Sequence, residues 1–225
     1  MSPDTPYEER GRTAALSTER GTIRLKTHCP PQLIEGMELD AGIGVFPHYR
    51  SIVWDRERLA RIAALEGANV VLAYTDEGKI VGYIAFSYPG PNERWHRDGA
   101  GTIYELGSIE VSRDWRRMGI ATRMVELAMA DDSLEDRIVL LTGYSWHWDL
   151  QMAGLKKPGY RTMLMNLFRP YGFRQYYTTE ANINLDPYNV LLARIGSRVS
   201  EDERERFLDL LFTSDGAEHP PDDRF

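Results

Sequence analysis

The chain has 225 residues and carries 27 lysines and arginines against 34 aspartates and glutamates, a net charge of −7. That balance excludes a general nucleic-acid binder, which needs a basic face for phosphates. The single cysteine, Cys29, excludes an intramolecular disulfide framework and a cysteine-rich zinc site. With 42% hydrophobic and 11% aromatic residues, and no apolar run near the roughly 18–20 residues of a membrane span, the composition predicts a soluble, cytoplasmic, folded protein with no membrane association.

In chain order, residues 1–20 hold Pro3, Pro6 and mixed charges, lack the apolar core of a secretory signal, and are expected to form a flexible arm. Residues 22–26 alternate as a short strand. Residues 33–40 and 55–66 have helical spacing, the second with Asp55 as cap, Leu59, Ile62, Ala63 and Leu65 on its apolar face, and Gly67 as stop. Residues 70–74 and 80–88 flank the turn Asp76-Glu-Gly-Lys79 and predict a β-hairpin. A strand over 103–112 precedes a helix over 119–130, whose Ile120, Met124, Leu127 and Ala128 share one face. Residues 138–142 form a continuous apolar run, suiting a strand covered on both faces. A helix over 160–168, a strand over 190–195 and a final helix opened by Ser200 and Glu203 at capping-box spacing follow. Residues 213–225 are expected to be a flexible tail, leaving 21–212 as the folded domain. This order predicts an α/β fold: a mixed central sheet flanked by helices, with a parallel pair around the Gly119 helix.

The most informative segment is the basic loop 113–117 between a strand and a helix that opens on small residues. A helix N-terminus presents unpaired N–H groups and about half a positive charge. Gly119 lets the backbone approach a ligand, Arg116 and Arg117 add forked donors, and Thr122 adds a hydroxyl. Such a cradle suits a diphosphate. The loop has neither the G-x-x-x-x-G-K-[ST] string of a P-loop nor three spaced glycines. A plain strand–helix connection with solvated arginines is the alternative that these residues leave open.

Arg116-x-x-Gly119-x-Ala121 resembles the Q/R-x-x-G-x-G/A signature of the GNAT N-acyltransferase superfamily. The stretch from Ile80 to Trp95, the tract Tyr144-Ser-Trp-His-Trp-Asp-Leu150 and Leu192-Ala-Arg-Ile-Gly196 resemble its acetoin-utilization protein acetyltransferase branch, over roughly residues 22–212. The resemblance implies the GNAT fold with splayed parallel strands, acetyl-CoA as cosubstrate and no metal. It implies that Arg116, Arg117, Met118, Gly119, Ile120, Ala121 and Thr122 hold the diphosphate, and that backbone groups of Ile109 and Val111 meet the acetyl carbonyl and pantetheine. It implies a protein substrate, acetyl-CoA synthetase or a related acyl-activating enzyme, silenced by acetylation of its catalytic lysine. Runner-up readings are a small-amine or amino-acid acetyltransferase and a non-catalytic acyl-CoA sensor.

Acetyl transfer to a lysine requires the neutral amine, which is only about one part in 2,500 at pH 7 for a pKa of about 10.4. A positioned base recovers about 10²–10⁴-fold of that deficit. Glu105 and Glu110 share a strand, and five positions apart they point to opposite faces of a regular one. In GNAT enzymes that use a strand glutamate, the base stands fourteen residues before the signature glycine, which selects Glu105; Glu110 is expected to be structural. The tyrosine that many GNAT enzymes place four residues before a Gly-Phe, to protonate the leaving thiolate, is Phe168 here, with Tyr171 and Tyr144 as substitutes. Trp146, His147 and Trp148 are candidates to line the acceptor cleft, with a buried aromatic plug as the alternative. Cys29 is expected to be inert. Only four residues are lysine, two of them the pair Lys156-Lys157.

Overall fold

The structure, a computed structural model, describes residues 11–44, 55–91, 93–98 and 101–213. The first ten residues of the expected arm, and the expected tail beyond Thr213, lie outside them. The chain forms two compact units, one comprising the residues up to Ser87 with Gly107–Asp131, the other Tyr88–Leu106 with the residues from Asp132 onward.

The first unit opens with β1 (Thr13–Thr18) and β2 (Gly21–Lys26), an antiparallel pair in register from Thr13↔Lys26 to Thr18↔Gly21. This corrects the reading of 1–20 as an arm: Ala14, Leu16 and Thr18 form a half-buried face, a period-two pattern too weakly apolar to stand out from its polar surroundings. The helix expected over 33–40 is only α1 (Pro31–Glu35). The chain turns at Gly36, and β3 (Glu38–Leu39) then pairs in parallel with Lys79–Ile80. In α2 (Arg56–Ala63), Asp55 accepts from the Arg58 amide at 2.7 Å, the expected cap. Leu59, Ile62 and Ala63 are buried as expected, whereas Leu65 lies past the helix end and is exposed.

The predicted hairpin is β4 (Asn69–Thr75) and β5 (Lys79–Ser87), joined through Gly78 at φ +80°. Strand β6 (Ile103–Val111) begins in the second unit and ends in the first, where the Ser112 amide donates to the Val81 carbonyl at 2.8 Å. Helix α3 (Ile120–Met129) buries Ile120, Met124, Val125 and Ala128 against β4 and β5. Gly82 permits this: a Cβ there would lie 3.1 Å from the Met124 methyl and 3.2 Å from the Glu110 carbonyl oxygen. A core of Ile34, Leu59, Val70, Leu72, Ile80 and Tyr83 holds the α1–α2 side of the unit.

The second unit is built on β7 (Ile138–Gly143), fully or half buried throughout as its apolar run predicts. It pairs in parallel with β6 from Ile103↔Ile138 to Glu105↔Leu140, the pair expected around the Gly119 helix. There follow α4 (Leu150–Ala153), α5 (Lys157–Phe168), β8 (Arg174–Tyr176), α6 (Ala181–Asn184), β9 (Val190–Ile195) and α7 (Glu201–Leu210). Strand β9 lies antiparallel between β7 and β8. Trp95, Ile103, Ile138, Leu140, Leu191 and Phe207 form the core beneath. Buried Arg94 donates through Nη1 to Thr178 and Thr179 and to the carbonyls of Leu210 and Leu211, giving the C-terminus of α7 the cation its dipole favours. Among the described residues no helix is long and apolar enough to cross a membrane.

Candidate active site

In the first unit, the loop from β6 to α3 is fixed by its own backbone. The Trp115 amide donates to the Ser112 carbonyl at 2.9 Å, and Arg116 Nε folds back to the Val111 carbonyl at 3.1 Å. The Arg20 guanidinium covers Trp115 from 5.6 Å. Two residues then take left-handed backbone, Arg117 at φ +65° and Gly119 at φ +79°. A left-handed residue followed by helix turns successive amides to one side, the concavity that binds anions. Helix α3 has no side-chain cap and no acid in its first turn, and its first helical bond runs from the Arg123 amide to the Gly119 carbonyl at 3.0 Å. The amides of Gly119, Ile120, Ala121 and Thr122 therefore precede the helical ladder. A Cβ at Gly119 would meet nothing within 4 Å, so the space beside this glycine is open. Arg117 and Thr122 are exposed and Met118 half-buried, while the Ile120 side chain belongs to the core and offers only its amide.

On β6, Ile109 and Val111 are half-buried and Glu110 is buried. Glu110 accepts from the Gly44 amide at 2.8 Å and the Tyr83 hydroxyl at 3.3 Å.

In the second unit, Glu105 is 8% exposed and ends the parallel ladder with β7. Tyr144 follows the end of β7. Burial first, then the negative charge of Glu180, raises its phenol above the usual range; Glu105 and Glu93 add to this, against a hydrogen bond with Thr142. Its ring stacks on Trp146 at 4.8 Å and 8°, with His147 edge-on to both. Burial lowers the His147 pKa, so the imidazole is neutral at pH 7. Trp148 turns away and stacks on Tyr160 at 5.0 Å. The turn is anchored at Ser145, whose amide donates to Asn189 Oδ1 at 2.7 Å and whose hydroxyl donates to Asp186 at 2.8 Å; Lys157 also binds Asp186. Of the three aromatic candidates, Trp146 and His147 thus gather on Tyr144 and Trp148 does not.

Residues 37–143 match the acetyltransferase (GNAT) family. Over 202 residues the chain is 33% identical to the acetoin utilization protein AcuA of Bacillus subtilis (strain 168), covering 89% of this chain and 93% of that one. The chain belongs to the GNAT acetyltransferase family. A crystal structure of the acetoin utilization protein from Exiguobacterium sibiricum 255-15 is similar at TM-score 0.82 and 30% identity, covering 90% and 94% of the two chains. A GNAT-family acetyltransferase from Streptococcus pneumoniae, 14% identical at TM-score 0.50, shares the fold.

This GNAT enzyme is an N-acetyltransferase, of a family that draws its acetyl group from acetyl-CoA. The residues fit the donor's diphosphate: uncapped amides, open space at Gly119 and arginines beside them. Phe168 is fully buried against Phe173 at 5.2 Å, so that position is core and supplies no proton. Cys29 is buried, donates to the Lys26 carbonyl and has its thiol pushed up to about 12, as an inert cysteine should. Sequence reasoning named Tyr144 only as a substitute and missed Glu93 and Glu180 around it. Those charges reach Tyr144 through tertiary packing, and no local spacing announces them.

Proposed function

We propose that this GNAT enzyme is a protein lysine acetyltransferase whose substrate is acetyl-CoA synthetase or a related acyl-activating enzyme, and that Glu105 is its general base. The observation that carries the base assignment is a buried carboxylate, Glu105, at the end of the parallel ladder with β7 and in the same unit as Tyr144. A proton acceptor and a proton donor then stand in one unit. The target class rests on similarity to acetoin utilization proteins over most of the chain.

Bound acetyl-CoA supplies an activated thioester. Amides of residues 119–122, with Arg116, Arg117 and Met118, hold its diphosphate. Glu105 takes the proton that the acceptor lysine must shed. Amides of Ile109 and Val111 steady the carbonyl oxygen as the C–N bond forms and the C–S bond breaks. Tyr144 donates its proton to the departing thiolate, so that CoA leaves as the thiol, and the second proton lost by the nitrogen restores the Tyr144 phenol. Trp146 and His147 meet the acceptor side chain.

Labelled acetyl-CoA, the synthetase and a panel of small amines and amino acids test the reading together. Label is expected on the synthetase's catalytic lysine with loss of that enzyme's activity. Label on small amines alone would sink the protein target, and tight CoA binding without any transfer would make the chain a sensor. Glu105→Gln is expected to slow transfer about 10²–10⁴-fold with CoA affinity unchanged; an unchanged rate removes Glu105 as base.

A further inference from the structure

Helix α5, β8 and β9 enclose an open cavity of about 590 Å³ whose lining includes Arg161, Arg169 and Arg174 and no aspartate or glutamate. Two other arginines of this unit meet carboxylates, Arg194 pairing with Glu135 and Arg198 with Asp132 and Asp136, while Arg94 is held by hydroxyls and carbonyls. Among the described residues, Arg169 and Arg174 make no ion pair. Arg161 donates through Nη2 to Gln175 Oε1 at 2.6 Å, yet its Nε is sealed from solvent with no acceptor among the described residues. In a chain of net charge −7, three uncompensated guanidinium groups around one cavity are a selective feature. Phe173 and Leu192, both buried, supply an apolar floor.

We infer that this cavity binds a small phosphate-bearing metabolite, its phosphate oxygens meeting the arginine forks and its organic part lying on Phe173 and Leu192. A guanidinium offers parallel donors matched to phosphate oxygens, and the volume falls within the roughly 300–1,000 Å³ of small-molecule sites. None of the residues assigned to acetyl-CoA lines it. A ligand there ties α5 to β8 and makes the site a place for an effector.

Inorganic pyrophosphate is the probe, titrated calorimetrically into the full chain with the α3 cradle closed in two ways, by saturating CoA and by Gly119→Val. Binding is expected in both arms. It should weaken at least tenfold in Arg161→Gln, several-fold in Arg174→Gln, and on raising salt, with CoA affinity unchanged in both arginine variants. Arg174 is exposed, so its variant keeps the fold even where Arg161→Gln does not. No pyrophosphate binding with the cradle closed, or binding indifferent to Arg174→Gln, overturns the inference. Tighter binding of citrate than of pyrophosphate overturns it in favour of a polycarboxylate.

Discussion

Two helix N-termini in this protein are treated in opposite ways. Helix α7 is closed by its own sequence. The Ser200 amide donates to Glu203 at 2.9 Å, the Glu203 amide donates back to Ser200 Oγ at 3.4 Å, and Glu201, Asp202 and Glu203 put three acids in the first turn. Helix α3 has a glycine at the cap, no side-chain cap and no acid in the first turn. The same backbone dipole is neutralised in one place and left available in the other. An uncapped N-terminus costs stability, and on the proposed function the diphosphate of the donor completes the cap of α3.

The largest break in this contrast is Gly119→Val. A β-branched residue at φ +79° is strained by about 1–3 kcal/mol, and its side chain enters the open space beside this position. The KM for acetyl-CoA is expected to rise about tenfold or more, with a lower Tm; an unchanged KM would remove the cradle from the donor site. Thr122→Glu makes α3 resemble α7. An acid at this exposed first-turn position should stabilise the helix by about 0.3–1 kcal/mol while opposing the diphosphate. Tm up and acetyl-CoA affinity down, the latter about tenfold, is the expected pair of opposite signs. Movement of both in one direction would mean that the terminus is only structural.

The contrast also explains what could be read in advance. The cradle is local: a strand, a short basic loop, one glycine and a helix, all within twenty residues. The capping box of α7 is equally local, and so is Asp55 at α2. The hairpin β4–β5 and the apolar run of β7 carry their burial in their own composition. By contrast, β1 was illegible because its period-two pattern lies among threonines and serines and depends on β2 for partners. Strand β8 is three residues long and exists because β9 pairs with it. Phe168 was readable as a departure and Tyr144 as one of two substitutes, but the surroundings of Tyr144 were not. Tyr144 gains its acidic neighbours from residues as distant as Glu93 and Glu180, and Trp148 leaves the cluster because Tyr160 offers it a face.

Ser200→Ala tests the closed terminus. It removes the cap bond and loosens Glu203, which the Ser200 hydroxyl and then Thr102 hold down to about 2. A stability loss of about 1 kcal/mol at pH 7, with kcat/KM untouched, is expected from urea titrations. A carboxylate depressed in the folded state stabilises above its unfolded pKa, and this contribution is lost as pH falls from about 4.5 towards 2. The difference between variant and parent should therefore shrink over that window. A constant difference down to pH 2 would assign the effect to packing.

The smallest expected effect belongs to His147. Burial lowers its pKa in the folded chain, so below the unfolded value of about 6.5 the unfolded chain binds more protons than the folded one. Stability must then fall with pH from about 6.5 downward, as the cost of keeping the imidazole neutral against Tyr144 and Trp146 grows. Tm measured from pH 8 to 5 should decline in the parent and decline less in His147→Gln, which cannot titrate. If both curves run parallel, the ring is already solvated, and a place for it at the acceptor must rest on its contacts alone.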